Sequence, residues 1–215
     1  MKHLLEYDSI RLVLDSRPVL TEIFMRCETG KIVGLLGRNG QGKTCLFNIV
    51  YGVLPAARSV RIDKVCIVQP FKRPELIRYL PQFNFLPGHL TVKRVFADFE
   101  LDFSELEHRF PEFRPAYHAR LKSLSGGELR FIEIYLILRS ATQFVVLDEP
   151  FTHLMPIQVE KMSELIQEEK ERKGILLTDQ LYEYVNAVCD ELYVLSNGKT
   201  QLIKDRSSIY NSYTL

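Results

Sequence analysis

The chain has no tryptophan, no dominant charge and no apolar run long enough to cross a bilayer. Each absence narrows the possibilities. A membrane-spanning helix needs about 18 consecutive apolar residues, and even the most apolar stretch, 131–138, is short and broken by Glu133. Residues 1–6 lack the apolar core of a secretion signal. The sequence is therefore expected to work in the cytoplasm and to reach a membrane only through a partner, as a peripheral protein on the inner face. Lys and Arg total 28 against 27 Asp and Glu, giving a net charge of +1. The basic residues form no stripe, so no nucleic-acid partner is expected.

Cysteine is scarce and scattered. Cys27, Cys45, Cys66 and Cys189 show neither the spacing of a zinc site nor that of a disulfide framework, and buried reduced thiols are expected. No histidine pair has ligand spacing either. There is no internal repeat and no low-complexity segment. With 215 residues the chain has room for one substantial core and a small lobe. A single unit, 1–215, is expected.

What is present is organised. Two strands are read over 9–14 and 19–27, followed by a turn at Glu28-Thr29-Gly30 and a third apolar run over 31–36. A helix is predicted over 43–51, stopped by Gly52 and Pro55. Thr91 is placed to cap a helix whose Val92, Val95, Phe96 and Phe99 share one face. Ser104 and Glu107 have capping-box spacing for another. Later come an apolar helix after Gly127, a strand over 144–147, a helix opened by Pro156, a strand over 174–178, a helix from about 181, and a hairpin turned at Asn197-Gly198. Strands alternating with helices predict an α/β fold with a mostly parallel sheet, preceded by N-terminal antiparallel strands and interrupted by an inserted helical subdomain at about 86–140.

The strongest local signal is Gly37-Arg38-Asn39-Gly40-Gln41-Gly42-Lys43-Thr44, which fits the phosphate-loop pattern between a strand and a helix. Glycines let successive N–H groups turn inward toward phosphate oxygens, and the helix that follows points its positive end at the same place. Lys43 is then suited to the β- and γ-phosphates, and the Thr44 hydroxyl to Mg²⁺. A second signal is the apolar strand that ends in Asp148-Glu149. It sets two carboxylates at the carboxyl edge of a sheet, where open α/β sheets bind ligands.

Further motifs occur in a fixed order. Tyr79-Leu80-Pro81-Gln82 resembles the Q-loop of ATP-binding-cassette (ABC) ATPases, Leu124-Ser125-Gly126-Gly127-Glu128 resembles their signature, and 144–149 with Pro150 resembles their Walker B strand. The resemblance covers nearly the whole chain and implies a P-loop NTPase core that binds and hydrolyses ATP with Mg²⁺. It implies nucleotide contacts at Gly37, Arg38, Asn39, Gly40, Gln41, Gly42, Lys43, Thr44 and Cys45, and metal contacts at Thr44, Gln82 and Asp148. Glu149, Lys43 and Gln180 are implied in catalysis, and Ser125, Gly126, Gly127 and Glu128 act on the nucleotide of a second subunit. A homodimer or heterodimer of cassettes driving a membrane permease follows from the resemblance.

Three positions depart from that pattern. Leu14 stands where the family carries an aromatic against adenine, Met155 where it carries an aspartate, and Gln180 where it carries a histidine. Glutamine donates a hydrogen bond but holds no titrating proton. The departures favour slow hydrolysis, and keep open two alternatives to a transporter subunit: an ATP-gated clamp or adapter, and a soluble ABC ATPase. Phe83, Phe85, Phe96, Phe99 and Phe103 are expected to serve mostly as core, with some part in a groove for a permease.

Overall fold

The computed structural model describes residues 2–206. The chain opens with β1 (Leu4–Leu14), β2 (Arg17–Leu20) and β3 (Phe24–Glu28), all antiparallel, with β1 paired to both of the others. The expected strand over 19–27 is in fact broken, because Thr21 and Glu22 turn their N–H groups to the Gly198 carbonyl. Then β4 (Ile32–Leu36) enters the centre of the protein and runs into the phosphate loop and α1 (Lys43–Tyr51), whose C-terminus is stopped by Gly52 in a left-handed conformation.

Three strands were not legible in the sequence: β5 (Ala57–Ile62), β6 (Val65–Cys66) and β7 (Ile77–Leu80). β5 carries two arginines and β6 is exposed because they widen the N-terminal sheet rather than enter the central one. After β7 come α2 (Val92–Asp98), α3 (Phe103–Arg109) and α4 (Gly126–Arg139). Thr91 caps α2 as its sequence predicts, its hydroxyl accepting from the Arg94 N–H at 3.2 Å. The expected Ser104–Glu107 box does not form. Asp102 caps α3 instead, accepting the Ser104 N–H at 2.8 Å, since it stands where the chain is still extended and Ser104 already lies inside the helix.

The last third alternates β8 (Phe144–Asp148), α5 (Pro156–Glu169), β9 (Gly174–Thr178), α6 (Tyr182–Val188), β10 (Glu191–Ser196) and β11 (Lys199–Leu202). The central sheet has the order β11-β10-β4-β9-β8-β7, parallel except for the β11 edge. Asn197 and Gly198 both have positive φ (49° and 75°), as the tight β10–β11 turn requires.

Buried strands of a parallel sheet serve two cores at once. Ile32, Leu36, Val145 and Leu147 face α4, α5 and the helices after β7, whereas Val33, Leu35, Phe144 and Val146 face α1 and the N-terminal sheet. The aromatic expectation largely holds: Phe96 and Phe103 pack edge to face in the core, with Phe85 and Phe99 partly buried against it, while Phe83 is 79% exposed. Of the cysteines, Cys27 and Cys189 are buried, Cys45 is half-buried and Cys66 is exposed, so buried thiols describe only part of the set. No helix among the described residues is long and apolar enough to cross a membrane.

Candidate functional site

Because β4 and β8 are parallel strands one place removed from each other, separated only by β9, their carboxyl ends lie on the same edge. That edge is the site. From β4 the loop Gly37–Gly42 leads into α1, and from β8 come Asp148 and Glu149. Gly40 and Gly42 have φ of 81° and 97°, and a Cβ on Gly42 would stand 2.9 Å from the Val19 side chain. Only glycine tolerates that combination of backbone and space. Gln41 accepts from the Asn197 N–H at 3.3 Å, which ties the loop to the β10–β11 turn.

Lys43 is nearly buried and its ammonium donates to the carbonyls of Gly37 (2.7 Å) and Arg38 (3.2 Å). The side chain thus lies folded over its own loop. Burial lowers its pKa from the ordinary lysine value, opposed by the charges of Glu149, Asp148 and Asp179. The Thr44 hydroxyl donates to Asp148 Oδ1 at 3.3 Å, and the Tyr79 hydroxyl donates to Oδ2 at 3.0 Å. Asp148 is fully buried, and this burial raises its pKa, with the two hydroxyls and Lys43 acting against it and Glu149 adding to it.

Glu149 has a left-handed backbone, φ 48°, which a non-glycine residue adopts at a cost of order 1 kcal/mol or more. Its N–H donates to the Thr178 carbonyl at 2.8 Å. Its carboxylate receives the Gln82 amide at 3.0 Å and the Gln180 amide at 3.2 and 3.1 Å. The structure therefore brings Lys43, Thr44, Asp148, Glu149, Gln82 and Gln180 to one sheet edge, linked through these bonds and charges.

Ser125, Gly126, Gly127 and Glu128 are arranged differently. Ser125 caps α4, its hydroxyl accepting from the Glu128 N–H while the Glu128 carboxylate accepts the Ser125 N–H, and Gly127 packs against the His153 carbonyl and Gln158. The hydrogen bonds of this helix start are thus made within itself. Leu14 is 44% exposed at the end of β1, and Met155 is 60% exposed, its N–H donating to Gln158 at the start of α5.

Two residues that organise the site, Arg130 and Glu133, carried no site reading in the sequence. Arg130 is 1% exposed and donates to the carbonyls of Pro81 (2.8 Å), Asp148 (2.9 Å) and Glu149 (2.9 Å). Glu133, one turn on, accepts from the N–H groups of Phe85 (2.8 Å) and Leu86 (3.2 Å). Together they fasten both ends of the Gln82 segment to α4. The available signal was two opposite charges at i and i+3 in the otherwise apolar stretch 129–138 of α4. Asp179, also buried, accepts from the N–H groups of Phe151 (2.8 Å) and Leu181 (2.9 Å), joining the loop after Glu149 to the loop that carries Gln180.

A phosphate loop at the carboxyl edge of a parallel sheet, with a carboxylate pair on the strand two places away, defines a P-loop NTPase. A family model described as ABC transporter matches residues 20–152. The chain belongs to that family, as an ATP-binding and ATP-hydrolysing subunit. It is 30% identical over 214 residues to the lipopolysaccharide export system ATP-binding protein LptB of Acidithiobacillus ferridurans, covering 93% of this chain and 89% of that one. To LptB of Escherichia coli K12 it is 33% identical over 200 residues, covering 85% and 82%. Among solved structures, one titled as the ATP-binding subunit of an ABC transporter superposes with a TM-score of 0.82 at 22% identity, over 97% of this chain and 93% of that chain, and supports the fold.

Proposed function

We propose that two cassettes, either two copies of this chain or this chain and a paralogue, close head to tail on two ATP molecules and that closure drives a membrane permease from the cytoplasmic side. The observation that carries this reading is the Glu149 carboxylate, presented at the edge that also holds Lys43, Thr44 and Asp148. In that reading the backbone of Gly37, Arg38, Asn39, Gly40, Gln41 and Gly42 wraps the phosphates, with Cys45 at the base of the loop. Lys43 leaves its own loop carbonyls for the β- and γ-phosphates, exchanging neutral acceptors for charged ones.

Magnesium fits the donors at hand, because the Thr44 hydroxyl, the Asp148 carboxylate and the Gln82 amide oxygen are hard oxygen ligands on adjoining elements. When bound it neutralises charge on the phosphate oxygens. Glu149 orients or deprotonates the attacking water, Gln180 donates to the γ-phosphate, and Ser125, Gly126, Gly127 and Glu128 of the second cassette cap that phosphate from outside. Their exposed helix start supports an action in trans. The unit is taken as 1–215, with a helical subdomain at about 86–140 that, beside Gln82 and the exposed Phe83, receives the permease. The relatives named for lipopolysaccharide export make an amphiphilic lipid the first cargo to test. Purified from native membranes, the chain is expected with an integral membrane protein; recovery free of any such protein overturns the transport reading.

A second reading, an ATP-gated clamp of slow turnover, is favoured by Gln180 and Met155, neither of which supplies the ionisable group expected there. A related prediction separates the glutamine's role from a histidine's. At saturating ATP the wild-type rate is expected to show no step attributable to residue 180, whereas Gln180→His introduces one near the ordinary imidazole pKa of about 6.5. The ratio of the two pH–rate profiles measures it, and a flat ratio removes Gln180 from contact with the γ-phosphate.

A further inference from the structure

We propose that Tyr79 is a positioning residue for the metal-holding carboxylate, fixing Asp148 so that it meets the cation in one orientation. The inference rests on the metal role of Asp148 given above and goes beyond it, since the tyrosine touches neither metal nor nucleotide in that reading. Tyr79 lies on β7, the parallel neighbour of β8, with Tyr79 paired to Val146, two residues before Asp148. Successive alternate residues point to one face, so the phenol leans along the sheet toward the carboxylate. Its hydroxyl donates to Oδ2 at 3.0 Å while the Thr44 hydroxyl donates to Oδ1 at 3.3 Å, and so each carboxylate oxygen has its own donor.

These donors differ in what nucleotide binding asks of them. Thr44 belongs to the phosphate loop and its oxygen also serves the cation in that reading, so its bond to Oδ1 shares in any movement of the loop. Tyr79 is 8% exposed, its ring against Tyr51 with centroids 5.2 Å apart, and it has no such competing duty. Its O–H is set on Oδ2 by the buried ring rather than by the phosphate loop. Oδ2 therefore keeps a donor that does not depend on the phosphate loop. A carboxylate held by a neighbour's hydrogen bond binds metal more tightly than one that must be ordered on binding.

The test is Tyr79→Phe in the full chain, read by fluorescent ATP-analogue binding titrated with Mg²⁺ and repeated in EDTA. The expected result is a half-saturating Mg²⁺ concentration about tenfold higher than wild type, with unchanged nucleotide affinity in EDTA. The EDTA measurement also reports that the loop is folded. An unchanged Mg²⁺ midpoint overturns the role of Tyr79, as does an affinity that falls equally with and without Mg²⁺, which marks a structural part only. A wild-type protein whose nucleotide affinity ignores Mg²⁺ overturns the metal role of Asp148 itself, and this inference with it.

Discussion

Glu149→Gln is expected to lower steady-state ATP hydrolysis by about 10²- to 10⁴-fold, the usual contribution of a positioned acid or base, while ATP binding stays within a few-fold of wild type. The amide is nearly the same size as the carboxylate and leaves an oxygen to accept from the Gln82 and Gln180 amides, so the local packing has little reason to change. What it lacks is the capacity to take a proton from water. The same variant, given ATP and Mg²⁺, is expected to elute as a dimer from a size-exclusion column, because the nucleotide that joins two cassettes is no longer removed. Lys43→Ala placed in that background is expected to elute as a monomer. Its ammonium is the charge nearest the loop carbonyls, and without it the loop itself offers the β- and γ-phosphates no lysine charge beside its backbone dipoles. If Glu149→Gln turns over ATP at the wild-type rate, Glu149 is not the base. If the wild-type rate is itself negligible while ATP still dimerises the chain, the slow clamp is the better description.

Arg130→Ala is expected to unfold the protein at a markedly lower temperature. Arg130 Nη1 lies 3.5 Å from the Glu133 carboxylate with both side chains buried. Removing one partner of a buried ion pair costs about 3–5 kcal/mol, and for a chain of this size each kcal/mol moves the midpoint by about 2–4 °C. A fall of about 10 °C in a calorimetric scan follows from these figures. The cause is specific. Glu133, fully buried, would keep only the Phe85 and Leu86 N–H groups against its charge, and the carbonyls of Pro81, Asp148 and Glu149 would lose their common donor. Arg130→Lys is expected to recover only part of the loss, since an ammonium lacks the planar fork that reaches acceptors on two separate segments. A midpoint for Arg130→Ala within about 2 °C of wild type, less than the equivalent of 1 kcal/mol, would show that these bonds are replaced by water.

The sequence was most legible where the motif and the local geometry coincide. The phosphate loop needs positive φ at Gly40 and Gly42, and only glycine adopts it there without strain, so its spacing is visible in one dimension. The capped start of α2 at Thr91 and the turn at Asn197-Gly198 were visible for the same reason. Reading was least secure where a residue's role depends on what lies across space. Ala57–Ile62 carries two arginines and little periodicity, and it is a strand because β1 pairs with it. Asp102 displaced Ser104 as the cap of α3 because the helix begins one residue after it, a boundary that two capping residues so close together leave open.

By itself the sequence determined the phosphate loop and the two carboxylates at a strand end, because each is a property of residues adjacent in the chain, whereas the order of the motifs and the departures at Leu14, Met155 and Gln180 were read from the resemblance to the family. Only the tertiary structure decided that Gln82 and Gln180 both hold Glu149, that Tyr79 and Thr44 divide the oxygens of Asp148, and that Arg130 fastens the Gln82 segment to the end of β8. Those partners lie up to 104 residues apart along the chain. They meet because a parallel sheet gathers the carboxyl ends of distant strands on one edge, and no local pattern records which side chains will face each other there.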